Sequence, residues 1–219
     1  MKRTATRRMA RTTARVIFAL LMTAGSTAAS ASPGAVPSDV RALLAADDTV
    51  LAYYKGDVAG DGMKGLVLVA YHGTARAPRK PRVSEDPCDL TVYADVDQRW
   101  TEVTRSDDAV DCTDNQLADN VEELVDMEYL HVAPGSITFV NQNVRSNVTF
   151  DFYYDISKRG WYVQSMSQNF LTAPQEPDGH RGSGHGDIAA PDDFPPTPMN
   201  ELDAERLWPA LLKRTKTEF

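Results

Sequence analysis

The stretch that decides the fold is VLAYYKGDVAGDGMKGLVLVAYH, residues 50–72. Two runs of β-branched, aromatic and aliphatic residues flank the glycine- and aspartate-rich segment Gly56-Asp57-Val58-Ala59-Gly60-Asp61-Gly62. Strand formers on both sides of such a segment predict strand, tight loop, strand. Asp57 and Asp61 stand four positions apart in the loop. That spacing can aim carboxylate oxygens at one hard cation, so these two residues are the candidate metal ligands. The turn glycines have an alternative reading, as positions kept for backbone geometry in a hairpin without an ion.

Downstream of the hairpin, further β signals accumulate. Asp89–Ala94 and Arg99–Thr104 read as partner strands around the turn Asp95-Val96-Asp97-Gln98, and Met127–Val132 reads as extended. Ser136–Asn141 is a strand. Val148–Tyr154 alternates, with Val148, Phe150, Phe152 and Tyr154 on one face, and Trp161–Ser167 returns after the turn Asp155–Gly160. Three strands with short connections make an antiparallel meander. Its aromatic face is read as core, the alternative being a stacking platform for sugars or bases. Upstream, Ser38 with Asp39 in the first turn predicts a short helix to Ala46, burying Val40, Leu43 and Leu44. The fold class is therefore mainly β, an antiparallel hairpin and meander sheet with a short N-terminal helix.

The ends read differently. Lys2, Arg3, Arg7, Arg8, Arg11 and Arg15 precede the apolar run Val16–Met22 and then Ala29-Ser30-Ala31. A basic start, a short apolar core and small residues are the pattern of an export signal spanning residues 1–31. The core is too short for a permanent span. The expected compartment is periplasmic or extracellular, with no transmembrane segment after cleavage. Residues 172–199 carry Pro174, Pro177, Gly179, Gly182, Gly184, Gly186, Pro191, Pro195, Pro196 and Pro198, and compose as a flexible linker between a β-rich domain at 32–171 and a helical segment at 200–219. Helix is expected from Glu201 to Lys213, kinked or shortened by Pro209. His180 and His185 lie in the linker without the acidic or thiol partners that a soft-cation site needs.

Charge and cysteine count exclude some functions. The chain carries −8 at pH 7, and loss of the six leader charges takes the remaining 188 residues to −14. Phosphate-rich nucleic acid and anionic membrane surfaces would repel such a chain, whereas a cation or a basic protein would be attracted. Cys88 and Cys112 are the only cysteines, and an even count in an exported chain predicts one disulfide. The mature part's positive cluster (Arg76, Arg79, Lys80 and Arg82) falls in a proline-punctuated stretch, 74–87, read as a solvated loop. No GxSxG, HExxH or phosphate-cradling glycine loop is present, and His72 at a strand end reads as a surface residue. An enzyme is not expected.

In order of features, GDVAGDGMKGLVLVAY (56–71), GSITFVNQNV (135–144) and FDFYYDISKRGWYVQSM (150–166) resemble the loosely defined bacterial exported and lipoprotein-type proteins with an FG-GAP/VCBS-like calcium turn. The resemblance implies calcium at side chains in the first, third, fifth and ninth turn positions. These are Asp57, Ala59, Asp61 and Gly65, so two of the four offer no ligand side chain. It also implies a binder, or an inhibitor of cell-wall lytic enzymes, with an envelope protein or a basic lytic enzyme as partner and no resident cofactor beyond the calcium. A hydrolase of envelope polymers and a passive structural protein are the alternatives.

Overall fold

The computed structural model describes residues 36–73, 87–112, 129–172 and 182–218. The signal-like segment, residues 74–86 of the basic stretch, residues 113–128 and residues 173–181 with His180 lie outside the described residues. The chain is mainly β, as expected, with two antiparallel sheets. One is four-stranded in the order β1 (Thr49–Gly56), β2 (Gly65–Tyr71), β3 (Cys88–Val96), β4 (Arg99–Ser106). The other runs β11 (Lys216–Glu218), β9 (Ser183–Ala189), β8 (Gly160–Leu171), β7 (Ser146–Asp155), β6 (Ser136–Gln142), β5 (Leu130–Ala133), with the short β10 (Thr197–Pro198) beside β8.

Period-two alternation explains how the sheets meet. In β2, Val67 and Val69 join Leu51, Leu90 and Val92 in a core shared with Phe139, Phe150, Phe152 and Trp161 of the second sheet. The other face of β2 carries Leu66, Leu68 and Ala70, which with Tyr93 bury Val40 of α1 (Ser38–Arg41). A strand apolar on both faces is what GLVLVAY requires. The first sheet is thus covered twice, by the second sheet on its inner face and by the N-terminal segment on its outer face. In the meander, Phe150 and Phe152 are core as read, but the alternation of β8 slips at a bulge. Trp161 and Val163 are buried, then Met166 and Gln168.

Three expectations change. The N-terminal helix is a single turn with Ser38 inside it and Pro37 as the capping position. Beyond it, the Arg41 guanidinium hydrogen-bonds the Ala45, Ala46 and Asp48 carbonyls, so the chain closes into a turn and does not continue as helix. The tract expected as a linker contributes β9, paired along its whole length with β8. Its glycines serve close packing. A Cβ on Gly184 would sit 2.1 Å from the Phe170 ring, and one on Gly186 would sit 2.5 Å from Thr215 Oγ1. Finally, α2 (Ala204–Arg214) runs through Pro209 without ending there. Pro209 and Glu205, whose carbonyl it frees, are both solvent-exposed, so water can replace the lost bond. Asp203 caps α2, and Leu207 and Leu211 dock it against β8 and β9.

Candidate functional site

The β1–β2 turn is built by its own carboxylates. Asp57 Oδ1 accepts the Gly60 N–H at 2.8 Å and Oδ2 accepts the Gly62 N–H at 3.1 Å. Asp61 Oδ1 accepts the Met63 N–H at 3.0 Å. Gly60 and Gly62 have φ of 76° and 81°, a region that side chains disfavour, which is why glycine is needed there. The turn also joins the sheets: the Gly135 N–H donates to the Val58 carbonyl at 2.8 Å, and the Tyr154 N–H to the Gly135 carbonyl at 2.9 Å. Calcium takes about 6–8 oxygens. Both Asp57 oxygens already face backbone N–H groups, and among the described residues no three of His, Cys, Asp and Glu converge to hold a metal ion. The Asp57 and Asp61 carboxylates are thus engaged with the backbone N–H groups of their own turn. Asp155 uses the same device in the β7–β8 turn, where the Ser157 hydroxyl above all, with the Ser157 and Lys158 N–H groups, holds its carboxyl below the usual range.

His72 is not a surface residue. Its side chain is 4% exposed, with Nε2 3.0 Å from Asp89 Oδ2 and Nδ1 3.0 Å from Asp48 Oδ2. Thr91 Oγ1 donates to Asp89 Oδ1 at 3.1 Å, and Arg105 Nη1 lies 3.6 Å from Asp89 Oδ2. Arg105 Nε is 3.0 Å from Asp107 Oδ1, an ion pair not aligned as a hydrogen bond. The Asp89 hydrogen bond, then the charges of Asp89 and Asp48, raise the His72 pKa above its ordinary value against the opposing effect of burial. Only the imidazolium can donate from both nitrogens.

Among the described residues the cluster has catalytic residue types, but they are buried. Asp48 and Asp89 are 8% and 4% exposed. Ser106, also buried, pairs with Leu90, which faces the inter-sheet core. It therefore sits on the opposite face of the sheet from His72 and Asp89.

The accessible chemistry lies on the outer face of the second sheet. Asp151 on β7 accepts the Thr138 hydroxyl from β6 and the Ser165 hydroxyl from β8, the latter at 2.6 Å. Two rows further, beyond Thr149 and Ser167, Asn169 Nδ2 donates to Asn147 Oδ1 at 3.0 Å, and His185 Nδ1 lies 2.8 Å from Asn169 Oδ1. Tyr153 and Tyr162 pair at 5.8 Å, with Lys158 4.5 Å above the Tyr162 ring. At the β9–β11 edge this face opens into a groove of about 510 Å³ lined by His185, Asp187, Asp192, Asp193, Arg214 and Lys216, among others. Arg214 Nη2 is 2.6 Å from Asp193 Oδ1 and holds the Asp193 carboxyl below the usual range. Side chains fixed by one another on regular strands form a rigid polar surface.

Cys88 and Cys112 form the expected disulfide, with Cα atoms 6.1 Å apart. Sequence reasoning missed the partners of His72 and, although it set Thr149, Asp151 and Tyr153 on the face opposite the aromatic one, the hydrogen bonding of that polar face across strands. The alternation Thr138, Val140, Gln142 and Asn147, Thr149, Asp151 was the available signal for the latter. No family model, no curated protein and no solved structure matches the chain. No helix among the described residues is long and apolar enough to cross a membrane.

Proposed function

We propose that this chain is an exported binding or inhibitory protein of the cell envelope, and that it acts without catalysing a reaction. The observation that carries this reading is the outer face of β6–β9, where hydroxyl, amide and carboxylate side chains are preorganised by hydrogen bonds across four strands. Preorganisation lowers the ordering cost of association. The reading is also supported by the sealing of the His72 cluster, which leaves its acid–base groups out of reach of a substrate. A net charge of −14 after leader removal favours a basic partner such as a wall-lytic enzyme, and would speed encounter in a salt-dependent way.

The test is a cell-wall clearing assay with basic lytic enzymes such as lysozyme, in 20 mM and 300 mM salt. Inhibition that weakens with salt and is reduced in Asp151→Asn supports the proposal. Clearing by the protein alone would replace it with the hydrolase reading. Neither inhibition nor binding at low salt would refute the inhibitory role.

A further inference from the structure

The segment 36–48 lies as a strap across the outer face of the first sheet. Val40, fully buried, covers Leu66, Leu68, Ala70 and Tyr93. The strap is fastened at two places. Near its start, Asp39 takes Lys55 Nζ of β1 at 2.6 Å and Trp100 Nε1 of β4 at 2.9 Å, an exposed contact. At its end, Asp48 meets His72, a buried one. Between them the strap passes so close to the sheet that a Cβ on Gly73 would lie 2.6 Å from the Asp47 carbonyl oxygen.

The charged groups facing His72 among the described residues are Asp48 on the strap, Asp89 on β3, and Arg105 with Asp107 on and after β4. A neutral imidazole has one N–H and one lone pair, so it cannot donate to Asp48 and Asp89 together. The nitrogen without the proton would then hold a lone pair 3.0 Å from a carboxylate oxygen. Asp89 is fixed on a strand and keeps Thr91 and Arg105. Asp48 is carried by the strap, so that is the contact which gives way.

We propose that His72 is a proton-operated latch: its imidazolium holds the strap 36–48 closed over the apolar outer face of β2 and β3, and loss of the proton frees the strap. Burial sharpens the device, because little solvent is present to screen the mismatch. The raised pKa of His72 agrees in direction: the closed state persists to higher pH than a free imidazole would hold its proton, and the strap opens as pH rises past that point.

Trypsin cleavage after Arg41 reads the latch. Closed, the Arg41 side chain is tied to three carbonyls of its own turn. Open, it becomes a substrate. The protein is digested at pH 7 and pH 9, the Arg41–Ala42 cut is followed by mass spectrometry, and its rate is normalised to a peptide of the same residues. The normalised rate should rise between the two pH values, by up to about tenfold for each pH unit above the folded pKa, since each such unit multiplies the neutral-to-charged ratio by about ten. His72→Gln should cut fast at both. Gly73→Ala, which lifts the strap without touching the titrating group, should do the same. Should His72→Gln fail to fold, Asp48→Asn replaces it, and a smaller pH step is expected. An unchanged normalised rate in the wild type overturns the proposal, as does a full pH step retained in His72→Gln or Asp48→Asn.

Discussion

Replacing Asp57 by alanine separates the two accounts of the β1–β2 turn. The substitution deletes acceptors for the Gly60 and Gly62 N–H groups. Removing one capping oxygen of this kind costs about 0.5–2 kcal/mol. The turn is exposed, so water compensates in part and the total should be about 1–2 kcal/mol. A domain of this size shifts by roughly 2–4 °C per kcal/mol, so melting should fall by about 2–8 °C. Asp57→Asn retains one acceptor oxygen and should lose about half as much. The loss should appear in the global transition, because the Val58 carbonyl of the same turn holds Gly135 and so ties the two sheets together. The assay is thermal melting of wild type and variant in excess chelator and again with millimolar calcium. Equal destabilisation in both media is the expected result. If the variant matches the wild type in chelator and differs only with calcium, Asp57 works through an ion and the capping argument is wrong.

Three other outcomes are expected. Replacing both Cys88 and Cys112 by alanine removes a cross-link over 24 residues and should cost about 3.5 kcal/mol by denaturant titration, most of it through the unfolded chain. Gly186→Ala should cost about 1–3 kcal/mol, because the new Cβ meets Thr215 Oγ1 at 2.5 Å and its Cα at 3.1 Å, and Thr215 cannot move without disturbing its bonds to Gln168 and Leu211; a neutral result would mean that α2 is not packed on β9 as described. The stability supplied by His72 should be complete below its unfolded pKa of about 6.5 and should be lost as pH rises through the higher folded value. Urea midpoints measured from pH 6 to 9 should therefore fall in the wild type and not in His72→Gln.

Much of the fold follows from local pattern. Runs such as VLAYY and GLVLVAY around Asp57–Gly62 point to a hairpin, because β-branched and aromatic strand formers stand on both sides of a glycine- and aspartate-rich turn. The Phe150 and Phe152 alternation likewise sets which face of β7 is core, and two cysteines can form only one intramolecular disulfide. The same local view fails where a residue's role depends on something distant. Glycines 184 and 186 read as a linker because composition cannot report that Phe170 and Thr215 occupy the space their side chains would need. His72 read as an ordinary strand end because Asp48, Asp89 and Arg105, spread over 58 residues of sequence, converge on it only when β2, β3, β4 and the strap are assembled. Backbone propensity is a short-range property and is written in the sequence. Close packing and buried charge pairing are long-range, and the tertiary structure alone decides them.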